Sequence, residues 1–234
     1  MATAGKTLDV RALLSLRSGL IIAIDEEDTA RSLEIASCVA GVIDAVKVGY
    51  PTVLASGIGI VRRLKSAARA PVVCDFKIAD IPPVVAKIAA RAVDAGAAAV
   101  IAHAFAGSDS LRAVVETAHR KGAAAIAVVE MSHEGGKEFT QPAMDGLLDA
   151  AMRAGVDGVV APATRPDRIR RVRSRAPSLP ILATGAGAQG GSAFEAAKAG
   201  ADFVIVGRSV AQAKDPAAAA KSCAAEIARG RAQR

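Results

Sequence analysis

Apolar and polar residues fall into two kinds of block along this chain. Short apolar runs of the length of a buried strand occur at Leu20–Ile24, Ala45–Val48, Val72–Phe76, Ala98–Ala102, Ala124–Val129, Gly158–Ala161, Pro180–Ala183 and Asp202–Val206. Between them, apolar residues recur at helical spacing over about Asp28–Val39, Thr52–Ala67, Pro83–Asp94, Asp109–Arg120, Ala143–Arg153, Pro166–Arg175 and Ser192–Ala199. Helical stretches in Ser209–Ala213 and Pro216–Arg229 follow the last run. Residues 1–19 read as a frayed start with a short helix around Asp9–Leu16, an N-terminal extension to the rest. Glycines close several helices, as at Ala95-Gly96, Lys121-Gly122, Ala154-Gly155 and Ala199-Gly200, because glycine tolerates the left-handed turn after a helix end. Strands that alternate with helices are parallel. Eight such units over 234 residues predict an α/β fold of the (β/α)8 barrel type, usually about 250 residues long. An open doubly wound sheet is the alternative. It usually has fewer strands and a glycine fingerprint after the first, and Ile24-Asp25-Glu26 carries none. No linker or low-complexity tract divides the chain, so residues 1–234 are expected to form a single domain.

Composition narrows the possibilities. At 52% hydrophobic the chain has material for a sizeable core. No apolar run approaches the ~18 residues of a membrane span, and Lys6, Arg11 and Arg17 interrupt the start without the apolar stretch of a signal peptide. Cys38, Cys74 and Cys223 are odd in number and far apart, which argues for a reducing, cytoplasmic setting rather than a disulfide framework or zinc site. The net charge of +7 suits nucleic acid or a phosphorylated small molecule. With no Trp and one Tyr, stacking platforms for nucleic acid are scarce. Positive residues are scattered except for Arg165, Arg168, Arg170, Arg171, Arg173 and Arg175, whose helical spacing predicts a solvated face.

Candidate chemistry gathers where a barrel keeps it, at the carboxyl ends of strands. Asp25 ends the first run, Lys47 lies in the second, Asp75, Lys77 and Asp80 end the third, His103 the fourth, and Glu130 and Ser132 follow the fifth. Residues two apart share a strand face, so Asp75 and Lys77 point one way and Cys74 and Phe76 the other. Carboxylates on both sides favour a charged Lys77, which suits a general acid. The plainer reading is a salt-bridged ring filling the barrel mouth, but burying so many charges costs several kcal/mol per ion unless they are paired. Asp80 also suits a helix N-cap ahead of Pro82-Pro83. His103 reads as a hydrogen-bonded strand-end residue, and His133 as an exposed residue of the Glu130–Gln141 loop. No spacing resembles a metal site, and the Gly-x-Ser-x-Gly elbow is absent. After the seventh run comes Thr184-Gly185-Ala186-Gly187-Ala188-Gln189-Gly190-Gly191, and after the eighth Gly207-Arg208-Ser209. In barrels these two loops are a frequent phosphate site, and an arginine there grips two phosphate oxygens.

Segments in order along nearly the whole chain resemble the orotidine 5′-monophosphate decarboxylases, in the compact form typical of archaea. They are Ile22–Asp25, Val46-Lys47-Val48-Gly49-Tyr50-Pro51, Asp75–Pro82, Glu130-Met131-Ser132-His133, Thr164-Arg165-Pro166, Gly187–Gly191 and Val206–Ser209. The Asp-x-Lys-x-x-Asp core alone marks a wider superfamily. That group includes metal-assisted sugar-phosphate lyases of the 3-keto-gulonate-phosphate decarboxylase and hexulose-phosphate synthase type. The resemblance implies decarboxylation of orotidine 5′-monophosphate to UMP without metal or cofactor. Lys77 would protonate C6, Asp75 would face the substrate carboxylate, and Lys47 and Asp80 would complete the charge network. Asp25 and Lys47 would bind the ribose, Ser132 the base, and Gln189, Gly207 and Arg208 the phosphate. Asp80 and Ile81 would reach in from the partner of a homodimer. Two nucleotide-contacting positions depart from the family: Val84 stands where Thr is usual, and Thr184 where Pro often begins the phosphate loop. A non-catalytic nucleotide-binding protein is a third possibility, resting on the basic charge.

Overall fold

In a computed structural model, which describes residues 8–234, eight parallel strands close into a barrel in sequence order. They are β1 (Leu20–Ile24), β2 (Ala45–Val48), β3 (Val72–Ile78), β4 (Ala99–His103), β5 (Ala124–Val128), β6 (Gly158–Pro162), β7 (Ile181–Ala186) and β8 (Phe203–Val206). β8 pairs back onto β1, with Leu20 opposite Val204. The frayed start falls largely on residues 1–7, outside the described residues.

The two-residue strand repeat separates two apolar layers. Ile22, Ile24, Val46, Val48, Val72 and Cys74 face the surrounding helices. Ile21, Ala23, Ala45, Val73, Ile126, Val160 and Ile205 fill the barrel. The inward series continues upward into charge: Ala23 leads to Asp25, Ala45 to Lys47, and Val73 to Asp75. At the opposite end Val10 and Leu14 are fully buried against the inner layer. An aspartate preceding β2, β6 or β8 holds this N-terminal segment in each case. Gly19 N donates to Asp44 (2.6 Å), Leu8 N to Asp157 (2.6 Å) and Arg11 Nε to Asp202 (2.9 Å).

Several boundaries differ from the sequence reading. The helix expected over Thr52–Ala67 is two, Tyr50–Ser56 and Ile60–Ala68, because Gly57 and Gly59 offer no side chains to carry it through. β3 runs on to Ile78, but its register with β4 slips between Cys74 and Ile78, and Lys77 there has φ +43°. A left-handed lysine is disfavoured by about 1–2 kcal/mol, a strain that sits on the residue singled out for catalysis. Asp80 is not the cap of helix Pro82–Asp94. That position is Ile81, without a side-chain cap, and Asp80 Oδ1 accepts from the adjacent Ile81 N at 2.7 Å. Pro82 and Pro83 supply the helix start instead, since their missing N–H groups need no cap.

The arginine-rich helix Pro166–Arg175 leaves Arg170, Arg171 and Arg175 exposed, as a solvated face should, but several of its arginines are ion-paired. Arg171 pairs with Asp145, Arg175 with Asp149 (2.6 Å) and Arg173 with Asp202 (2.6 Å). Helical spacing reveals the stripe but not the acidic helix Thr140–Ala154 beside it.

Candidate active site

The inward series ends in a chain of four alternating charges. Lys47 Nζ lies 3.2 Å from Asp25 Oδ1 and 3.2 Å from Asp75 Oδ2. Lys77 Nζ donates to both Asp75 oxygens, at 2.9 and 2.8 Å. Exposure grades along the chain. The side chains of Lys47 and Asp75 are 9% and 5% exposed, whereas Lys77 and Asp25 are 37% and 46% exposed. The inner pair is therefore fixed, and the outer ammonium and carboxylate are free to meet a ligand. Burial pushes the Asp75 carboxyl up, but the ammonium groups of Lys47 and Lys77 outweigh it and hold the carboxyl below its ordinary range. Burial pulls Lys47 down, and the carboxylates of Asp75 and Asp25 more than reverse it. Both inner groups thus remain charged at neutral pH.

These residues line a cavity of about 380 Å³. Its apolar lining includes Ala23, Val128, Met131, Val160 and Ile205, and Ser132, Thr184, Gln189, Gly207 and Arg208 line it as well. Ser132 Oγ donates to Gln189 Oε1 at 2.8 Å, joining the loop after β5 to the loop after β7. The second of these loops folds on itself, with Gly187 N donating to Gly191 O (2.8 Å) and Gly190 N to Gly187 O (2.7 Å). Gly187 has φ +78°, and a Cβ there would lie 2.4 Å from Ser209 Oγ, so no other residue fits where the two loops meet.

The structure thus gathers Asp25, Lys47, Asp75, Lys77, Ser132, Thr184, Gln189, Gly207 and Arg208 at one cavity. Asp80, Ile81 and Val84 are not among its lining residues. Asp80 is exposed and Ile81 is 61% exposed at the rim.

His133 is exposed but forms part of the cavity wall. His103 departs from its reading, because its Nδ1 is buried with no hydrogen-bond partner. Its ring lies against Phe105 with centroids 4.4 Å apart. Burial and the nearby Lys77 charge hold its imidazole down at about 4.

Glu130 was legible in the sequence only as a polar residue at the rim. It is fully buried and bridged by Arg165 and Arg168. The signal for it was the carboxylate at the end of β5 followed, one strand later, by the pair Arg165 and Arg168.

The comparisons with known proteins agree with this geometry. An orotidine 5′-phosphate decarboxylase of Methanococcoides burtonii is 45% identical over 212 residues, 90% of this chain and 98% of that protein. One from Thermococcus kodakarensis is 46% identical over 211 residues, 90% of this chain and 97% of that protein. Among solved structures, orotidine 5′-monophosphate decarboxylase of Methanocaldococcus jannaschii complexed with the inhibitor BMP superposes with a TM-score of 0.85 at 38% identity, covering 89% of this chain and 97% of that one. The enzyme of Pyrococcus horikoshii gives 0.82 at 42% identity, covering 89% and 99%. A family model described as "Orotidine 5'-phosphate decarboxylase / HUMPS family" matches residues 18–223. With the closed barrel, the charged rim and these similarities together, the chain belongs to the orotidine 5′-phosphate decarboxylase / HUMPS family.

Proposed function

We propose that this chain is a carboxy-lyase converting orotidine 5′-monophosphate to UMP and CO2, the last step of UMP synthesis. The observation that carries the reading is the Asp25–Lys47–Asp75–Lys77 charge chain lining the same cavity as Gln189 and Arg208. Loss of CO2 leaves a carbanion at C6 in an sp² orbital orthogonal to the ring, so the ring offers no simple electron sink. An ammonium fixed at that carbon stabilises the charge as it forms and then supplies the proton. Lys77 has this role: it is held by Asp75 yet open to the cavity. Asp75 lies against the departing carboxylate, and its repulsion is relieved as CO2 leaves. Asp25 and Lys47 take the ribose hydroxyls, and Ser132 the base. Gln189, Gly207 and Arg208 hold the phosphate, where a planar guanidinium grips two oxygens. Thr184 and the loop behind it close over the bound phosphate, which directs remote binding into the chemical step.

The active form is a homodimer in which Asp80 and Ile81 of one chain complete the partner's site. Their place outside their own cavity and the 61% exposure of Ile81 support this. Val84, half-buried one turn further along, belongs to the same contact. The whole chain acts as one domain. A cytoplasmic location is in keeping with three free cysteines, and among the described residues no helix is long and apolar enough to cross a membrane.

The family description also covers the sister sugar-phosphate lyases, so the assay has to separate the two. Loss of the orotidine nucleotide's ultraviolet band is followed with EDTA present. Turnover that survives the chelator is expected. Turnover of a sugar phosphate that needs Mg²⁺ would favour the sister reaction, and UMP binding without turnover would favour a binding protein.

A further inference from the structure

Glu130 stands two residues beyond β5, and its side chain is 0% exposed. A lone buried carboxylate is costly, and two cations offset that cost here. Arg165 Nε donates to Oε1 at 2.8 Å and Arg168 Nε to Oε2 at 2.7 Å. Neither guanidinium stops there. Arg165 also donates to the carbonyls of Met131 and, at 3.4 Å, Ser132. Arg168 donates to Gln141 O at 2.8 Å. Thr164 Oγ1 adds a bond to Ser132 O at 2.8 Å. Both ends of the loop between Met131 and Gln141 are thus tied, through one carboxylate, to the segment that opens helix Pro166–Arg175. That loop carries Ser132, whose hydroxyl reaches Gln189 on the phosphate side of the cavity.

We propose that Glu130 is a positioning residue: its carboxylate aims two guanidiniums at the ends of one loop, Arg168 at Gln141 and Arg165 at Met131 and Ser132, and through Arg165 sets the backbone of Ser132 where it meets both the ligand and the loop bearing Gln189. The inference rests on the reading in which Ser132 and Gln189 hold the nucleotide. A carboxylate is required because both arginines only donate, so the group between them has to accept on each side. An amide of the same shape turns an NH2 toward one arginine and frees it, and the carbonyls that arginine holds shift with it. A displacement of about 1 Å at a positioning site is worth about 100-fold in rate.

The test is a double-mutant cycle between Glu130→Gln and Ser132→Ala, read in kcat/KM for orotidine 5′-monophosphate and in Kd for UMP. Alone, Glu130→Gln is expected to lower kcat/KM by about 100-fold. In the Ser132→Ala background the same change is expected to matter by less than about 3-fold, because the group it positions is gone. An equal factor in both backgrounds, or no effect alone, overturns the proposal, since a purely structural residue acts whether or not Ser132 is present. If Glu130→Gln does not fold, Arg165→Lys, at the arginine that joins Glu130 to the carbonyls of Met131 and Ser132, enters the same cycle. It keeps the charge but loses the second donor, and the same collapse in the Ser132→Ala background is expected. A parent protein with no turnover, but with the cycle intact in UMP affinity, would sink the catalytic reading and support this one.

Discussion

Gly49 opens the turn beyond β2 with φ −107° and ψ −174°, a conformation any residue adopts. Its lack of a side chain matters for another reason. A Cβ at this position would lie 2.5 Å from Asp25 Oδ1 and 3.5 Å from Lys47 Nζ. In Gly49→Ala the carboxylate has to withdraw by roughly 0.9 Å or more to restore ordinary contact. Asp25 is 46% exposed, so it has room to move. If the retreat carries it from 3.2 Å to about 4 Å from Lys47, the pair loses about 1 kcal/mol at an effective dielectric near 20. Solvent at the half-exposed carboxylate reduces that further. Stability is therefore expected to fall by less than about 1 kcal/mol. Binding is more sensitive, because a hydrogen bond from a ribose hydroxyl to a charged acceptor is worth about 1.5–3 kcal/mol, or roughly 10- to 150-fold. Steady-state kinetics on orotidine 5′-monophosphate should show KM raised by that factor, with a thermal melt close to the parent's. An unchanged KM would refute the placement of Asp25 on the ribose. A large loss of stability would show that Gly49 serves the fold rather than the site.

Lys77→Ala is expected to reduce turnover by at least about 10⁴-fold, since it removes both the proton donor and the fixed cation. Asp75 keeps Lys47 at 3.2 Å, so circular dichroism should show the barrel intact, and substantial residual decarboxylation would strip Lys77 of its role. His103 makes stability depend on pH. Its folded imidazole is held at about 4, below the ordinary value near 6.5, so the unfolded chain binds a proton between these limits that the folded chain refuses. Stability is then lost as pH falls from about 6.5 to about 4 and levels off below. The contribution is about 1–2 kcal/mol once partial exposure is allowed for. Urea melts at pH 7 and pH 4 should show a smaller difference for His103→Phe, and an identical difference would count against the assignment. Val84→Thr, which restores a hydroxyl near the dimer contact, is expected to lower KM about fivefold through one hydrogen bond; an unchanged or higher KM would remove this position from the nucleotide's surroundings.

The periodicities of a strand and a helix are properties of the backbone, and they made the eight-fold alternation readable before any contact was known. The same two-residue repeat put Asp75 and Lys77 on one face, and the rule that barrels keep chemistry at strand ends gathered Asp25 and Lys47 with them. Ordinal position alone then assigned the loops around Gln189 and Arg208 to one rim. Periodicity has no access to distances between segments far apart in the chain. It left open that Lys47 and Asp75 are sealed while Lys77 and Asp25 stay open, and that Lys77 sits in a left-handed kink where the β3–β4 register slips. It also left Glu130 as one rim carboxylate among several, and His103 as a satisfied strand end. Their environments come from Arg165, Arg168 and Lys77, which only the packing of separate βα units brings to them. The order of residues placed Asp25, Lys47, Asp75 and Lys77 at the strand ends, because that follows from local geometry, but it did not separate them from Asp80, Ile81 and Val84, which lie outside the cavity's lining. Charge states and partners are properties of the assembled interior, where burial and long-range pairing compete.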